Sequence, residues 1–242
     1  VIGHLGATAD AGEIDATSAQ AGFQVDLGVY KPVQWYSRSD FYTYYNGKKV
    51  GYTAIDWGVT RAKAKSGGQY TDLIMSRITM QGKGADRVYG YSNRLVVSSS
   101  LNSGQTLFQV SPKNNATSKS YTLGLSAGIG SDGANISFSG EKTFTKNALE
   151  VSDETNWEAN KPRVRYEYYH DFWTWQNTLD SYCYGRNDQL MAFSIRTNKS
   201  KYLARINVEA QFKLFDSDPQ GWAKALGAYA DGYRTVVFYT PY

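Results

Sequence analysis

Residues 120–145, SYTLGLSAGIGSDGANISFSGEKTFT, alternate in hydropathy on both sides of one turn signal. Tyr121, Leu123, Leu125, Ala127 and Ile129 share one parity, with Thr122, Gly124, Ser126 and Gly128 between them. After Ser131-Asp132-Gly133 the pattern resumes as Ala134, Ile136 and Phe138, with Asn135, Ser137 and Ser139 interleaved. Successive side chains leave opposite faces of a strand, and Asp-Gly between two such runs closes a tight hairpin. A chain carrying this segment builds antiparallel sheet.

The remainder reads the same way. Phe23, Val25, Leu27 and Val29 alternate with Gln24, Asp26 and Gly28, which predicts a first strand ending before Pro32. Asn46-Gly47 lies between FYTYY and KKVGYTAIDWGV and is a strong hairpin signal. Strands are expected over 70–80, 87–99, 106–110, 163–176 and 189–196, with a polar connection over 112–118. From Tyr202 to Leu214 every second residue is apolar (Tyr202, Ala204, Ile206, Val208, Ala210, Phe212, Leu214), which predicts one long strand with one wet face. Asp218-Pro219 reads as the start of a helix, with Trp222, Leu226 and Tyr229 in one stripe and Gly232 ending it. A last strand is expected over 234–239. The fold class is therefore all-β: an antiparallel β-sandwich, or flattened barrel, of about ten strands with one short C-terminal helix.

Two segments differ in composition. Residues 1–22 are rich in Ala, Gly, Thr, Asp and Ser and hold no aromatic residue, so they are expected as a separate N-terminal segment. Residues 23–242 read as a single β-rich domain. Twenty Tyr and six Trp, with 20% charged residues, suit half-buried pleated surfaces and interfaces, and the polar, charge-poor balance points to a secreted or cell-surface protein. The first residue is Val1, consistent with removal of a signal peptide or of an initiator methionine. No run of 18 apolar residues occurs, which excludes a membrane-spanning helix but not a barrel of amphipathic strands. The net charge of +4 is spread along the chain without a dense basic run, so no nucleic-acid partner is expected.

Chemistry-bearing residues are few. A single cysteine, Cys183, excludes an internal disulfide and reads as a small buried residue. His4 and His170 are the only histidines, without metal-ligand spacing or a nucleophile elbow beside them. Asp153, Glu154, Glu158, Glu167 and Asp171 are read as solvated charges, and the glycines over 82–90 as a turn. No catalytic residue, metal or cofactor is expected. Three sequons, at Asn115, Asn135 and Asn198, fall on expected turns or wet strand faces and could accept glycans.

Three functions fit these features. The one favoured by the sequence is an exported structural subunit of a filament or pilus-like assembly. Copies would join by strand donation from residues 1–22, through Val1, Ile2, Leu5, Ala7 and Ile14. The second follows from the hairpin, which resembles the stem of aerolysin-type and haemolysin-type toxins. That resemblance implies a β-barrel pore-forming protein inserting residues 120–145, with Tyr121, Leu123, Leu125, Ile136 and Phe138 facing lipid. Only under this reading is a membrane a partner. The third is a carbohydrate-binding module stacking sugars on Trp173 and Trp175.

Overall fold

Alternation decides where each strand lies, and burial on one face or two decides how it reads. The computed structural model describes residues 23, 25–113, 115–118, 120–122, 141–143, 149–168, 181–216 and 224–242. They form two antiparallel sheets packed as a β-sandwich, with a separate two-stranded pair. The six-stranded sheet runs in the order β1 (Gln34–Trp35), β3 (Lys48–Arg61), β4 (Tyr70–Gly82), β13 (Arg186–Thr197) and β7 (Gln105–Ser111), with β2 (Ser39–Tyr45) also paired to β3. The seven-stranded sheet runs β15 (Lys224–Tyr239), β14 (Leu203–Asp216), β6 (Val88–Ser98), β12 (Arg163–Tyr168), β11 (Leu149–Asp153) and β8 (Asn115–Ser118), with β5 (Gly84–Ala85) beside β6.

The core lies between these sheets. Ile55, Trp57 and Val59 of β3, Ile74 and Ile78 of β4, and Met191, Phe193 and Ile195 of β13 supply one layer. Leu95 and Val97 of β6, Val164 and Tyr166 of β12, and Ile206, Val208, Ala210 and Phe212 of β14 supply the other. Trp57 stacks on Tyr36 with centroids 5.8 Å apart and meets Phe238 of β15 at 6.0 Å, so aromatic rings bridge the layers. The hydroxyl of Tyr166 donates to the Leu190 carbonyl across the core at 2.7 Å.

β14 has the expected form from Leu203 to Leu214, buried at every even position and partly exposed between, before Phe215 turns inward as well. In β4 and β13, by contrast, Leu73, Met75, Leu190 and Ala192 on the opposite parity are buried too. Part of that outer face is covered by the first described residues: Val33 and Trp35 lean over Gly58, where an added Cβ would meet either side chain at 2.8 Å. Phe23 packs against Trp35 with centroids 6.2 Å apart.

One end of the sandwich is closed by a buried ion pair. Arg61 and Asp72 are cross-strand partners, with side chains 3% and 0% exposed. The guanidinium engages both carboxylate oxygens, at 2.6 and 2.7 Å, and donates to the backbone carbonyls of Ser200 and Lys199. Tyr202, at the threshold of β14, donates to Asp72 Oδ2 at 2.8 Å, which ties the two sheets together. Burial and the Asp72 charge both push the Tyr202 hydroxyl well above its usual pKa.

Several expectations are corrected. Residues 23–29 are not a strand: the Asp26 carboxylate accepts the Gly28 amide at 2.7 Å, and the Asp26 carbonyl accepts those of Val29 and Tyr30, folding the chain into a turn. Asn115–Ser118 pair with β11 where a polar connection was expected. The C-terminal helix is absent among the described residues. Lys224–Tyr239 is a strand paired with β14 from Leu203↔Tyr239 to Asp216↔Lys224, its start lying beside a register shift between Lys213 and Phe215. Gly232 is needed there for close packing rather than as a helix stop, because an added Cβ would sit 2.2 Å from Thr43 Oγ1 and 2.7 Å from the Phe41 ring. The helix that is present, α1 (Ser181–Tyr184), is one turn long and contains Cys183, buried as expected.

Truncating Asp72 to Ala leaves the buried Arg61 charge uncompensated, and such losses cost about 3–5 kcal/mol. Urea denaturation is expected to show that drop for Asp72→Ala, and about 1–2 kcal/mol for Tyr202→Phe. Equal, small losses in both would show that the pair does not fix the sheet docking.

A second ionic cluster titrates at acid pH. Arg38 grips Asp56 through two hydrogen bonds of 2.8 and 2.7 Å, and Arg77 adds two more to Oδ2 at 2.8 and 3.2 Å. Burial alone would raise the Asp56 carboxyl, but these hydrogen bonds outweigh it and hold the group below the usual carboxylate range. Its contribution to stability is present above the unfolded value near pH 4 and is lost as pH falls through the folded one. Thermal melts between about pH 2 and 5 should therefore fall less steeply for Asp56→Asn than for the parent. Parallel curves would refute the assignment.

Candidate functional site

The alternating hairpin is rooted at the edge of the seven-stranded sheet. β8 is the terminal strand of that sheet and pairs with β11, Leu149 opposite Ser118 and Val151 opposite Asn115. Between β8 and β11 the chain makes an excursion whose base is a two-stranded antiparallel pair, β9 (Ser120–Thr122) and β10 (Glu141–Thr143). The register is Ser120↔Thr143, Tyr121↔Lys142 and Thr122↔Glu141. Residues 123–140 and 144–148, including Leu123, Leu125, Asn135, Ile136 and Phe138, lie outside the described residues.

This rooting has a mechanical consequence. β11 is held from its other side by β12, from Leu149↔Tyr168 to Asp153↔Val164, and β12 is held in turn by β6. Moving the excursion therefore breaks none of the ladders joining β11, β12, β6, β14 and β15. The carboxylates near the root are occupied. Glu154 pairs with Arg163 at 3.0 Å and Arg165 at 2.7 Å, Glu167 with Arg165 at 2.6 Å, and Asp153 with Lys113 at 3.0 Å. Glu158 is exposed. Among the described residues, no group of three or more His, Cys, Asp and Glu is placed to hold a metal.

The other sequence-derived sites separate. Tyr121 stands at the hairpin base opposite Lys142, and Asn115 lies in β8. Asn198 is exposed in the turn after β13, where a glycan has room. Trp173 and Trp175 lie outside the described residues, as do His4, His170 and Asp171. So do Val1, Ile2, Leu5, Ala7 and Ile14. Among the described residues, the exposed aromatic side chains that the sequence did not single out are Tyr42 and Tyr44 on β2, Trp157 after β11, and Tyr233 and Tyr239 on β15, with Tyr229, expected on a helix, also exposed there. On β15 the signal was present, since Tyr229, Asp231, Tyr233, Thr235, Val237 and Tyr239 share one parity.

The observed register gives a direct check. Cysteines replacing Tyr121 and Lys142 should form an intrachain disulfide on mild oxidation, because directly opposed Cβ atoms lie about 4.5–5.5 Å apart. Cysteines replacing Tyr121 and Thr143, one register step off, should cross-link far less. Comparable yields from both pairs would mean the base is not held in this register.

No family model matches the chain, and no curated protein matches it. Among solved structures it is similar to Clostridium perfringens delta-toxin, with a TM-score of 0.55 and 13% identity over 90% of this chain and 93% of that one. A pore forming protein gives a TM-score of 0.52 and 16% identity, covering 83% and 96%. Clostridium perfringens NetB toxin in the membrane inserted form gives 0.46 and 12%, covering 86% and 96%. The favoured expectation, a filament or pilus-like structural subunit joined by a donor strand, is corrected by the likenesses to delta-toxin and the pore forming protein. Nor do the described residues suggest a missing strand: Phe23 and Val25, just after the supposed donor, are buried in their own domain. The fold this chain shares is that of delta-toxin and the pore forming protein.

Proposed function

We propose that this chain is a secreted β-barrel pore-forming protein that assembles with copies of itself and inserts the 120–145 hairpin into a target membrane. The observation that carries the reading is the antiparallel base β9–β10, set at the sheet edge between β8 and β11, beneath two alternating runs. Each run is about ten residues long, the length with which a tilted strand crosses a bilayer. Its apolar parity suits lipid, and its Ser, Gly and Thr parity suits a water-filled lumen. A hairpin inserted alone would expose unpaired backbone to hydrocarbon, so the strands have to close into a barrel with those of other copies. The likeness to delta-toxin and to a pore forming protein supports the same reading. No helix among the described residues is long and apolar enough to cross a membrane, and crossing by strands needs none. The reading calls for no catalytic group and no cofactor.

Leu125→Asp places a charge on the lipid-facing parity of the first run. Dye release from vesicles should fall by about tenfold or more, because a charge on the lipid face of a barrel costs on the order of kilocalories per strand. The thermal midpoint in plain buffer should stay at the parental value. Unchanged dye release, or a collapsed fold, would sink the proposal: the first shows that this parity does not meet lipid, the second that Leu125 is a core residue.

A further inference from the structure

The wet face of the seven-stranded sheet carries a groove that the hairpin does not use. Two neighbouring rows of the ladder build it. One row runs Asp231, Gln211, Arg94, and the next runs Tyr233, Glu209, Val96, each residue directly opposite the one before it. Arg94, Glu209, Gln211, Asp231, Gly232 and Tyr233 are among the residues lining a space of about 330 Å³, close to the lower bound usual for small-ligand sites. Beside it on the same parity Val96 is buried, so the open part of this face lies toward β14 and β15.

The lining is arranged for recognition. Tyr233 is 60% exposed, yet its ring is tethered, because its hydroxyl donates to Asn207 Oδ1 at 3.2 Å and lies 2.7 Å from Thr235 Oγ1. Thr235 bonds the same Asn207 oxygen at 2.9 Å. The Gln211 side chain is fixed at both ends, accepting from Asn93 at 2.7 Å and donating to Asp231 Oδ1 at 2.9 Å. Glu209 has a weak partner in Arg163 at 3.8 Å. The Arg94 guanidinium makes no hydrogen bond or ion pair among the described residues. The groove thus offers one available donor fork, two carboxylates with spare acceptor capacity, and one immobilised aromatic face.

That combination selects a chemistry. An anion entering here meets two carboxylates, and a cation meets Arg94. A neutral polyhydroxylated ring meets neither penalty: vicinal hydroxyls donate to Asp231 and Glu209, Arg94 donates to a sugar oxygen, and the apolar face of the ring stacks on Tyr233. We infer that this groove binds a neutral saccharide, one or two units long. Its service as an attachment point on cell surfaces rests on the membrane reading above; the binding itself does not. The residues are distinct from Trp173 and Trp175, where the sequence had placed a sugar platform.

The test titrates the intact chain with lactose, cellobiose and mannobiose, using sialyllactose as an acidic comparison, and follows backbone amide shifts by NMR. At least one neutral disaccharide should move the amides of Arg94, Gln211 and Tyr233 with a dissociation constant in roughly the millimolar range. Tyr233→Ala and Asp231→Asn should each weaken it by about tenfold, with melting temperatures at the parental value because both side chains are exposed. Sialyllactose should bind more weakly. The inference is overturned if no neutral disaccharide shifts those amides, if Tyr233→Ala binds as well as the parent, or if the acidic sugar binds more tightly. Dye release by the parent protein from phosphatidylcholine vesicles without sugar separates the two proposals. Saccharide binding without release from any vesicle leaves the groove standing and removes the pore, while release without binding does the reverse.

Discussion

Two-sided burial of the central strands is the constraint on which the remaining architecture depends. β3, β4 and β13 are covered by the second sheet on one face, and on the other Leu73, Met75, Leu190 and Ala192 are also withdrawn from water. A sheet of this kind cannot stand alone, because both of its surfaces require cover. The inner surface acquires the seven-stranded sheet, locked at one end through Arg61, Asp72 and Tyr202. The outer surface draws residues 23–35 across it, ending in the short pairing of Gln34–Trp35 with β3. The seven-stranded sheet, whose outward face is partly open along β14 and β15, is then free to present charges and aromatic rings to water there.

That asymmetry explains what the sequence disclosed. β14 was legible nearly residue by residue, because one face is wet and polar residues had to occupy every second place. Asn46-Gly47 was legible for a different reason: both residues adopt positive φ, at 46° and 77°, which few residue pairs tolerate. β4 and β13 show apolar residues on both parities, so their existence could be read but their inward face could not. Residues 23–29 failed because their alternation is real while Asp26 turns the chain, its carboxylate capturing the Gly28 amide. A local side-chain hydrogen bond outweighed the periodicity there.

The C-terminal segment shows how one misreading conceals another. Trp222, Leu226 and Tyr229 have helical spacing, and Asp218-Pro219 resembles a helix start. The long ladder with β14 prevails for the described part, because it pairs residues from Lys224 to Tyr239 and satisfies the backbone groups of every second one. Read as a helix, the segment scatters Tyr229, Asp231, Tyr233, Thr235 and Val237 around a cylinder. Read as a strand, it aligns them on one wet face, and the groove becomes visible. The antiparallel base of the expected 120–145 hairpin, β9 with β10, agrees with the alternation in the sequence. The hairpin's role was not legible, since any antiparallel sheet with one covered face repeats the same pattern, and only its rooting at a sheet edge distinguishes it.

The two proposed sites occupy opposite edges of one sheet. The groove lies on β15, β14 and β6, while the hairpin departs from β8 and returns into β11. The row that starts at Asp231 continues through Gln211, Arg94, Glu167 and Glu150, crossing the wet face to the strand that receives the hairpin. A row paired at every step links the groove to the root of the hairpin through continuous backbone ladders. Under the two proposals, occupation of the groove would position the molecule while leaving the ladders at the root of the hairpin as they are. Because β8 is the terminal strand of the sheet, displacing the excursion would leave the ladders of the sandwich, its buried ion pair and the groove intact.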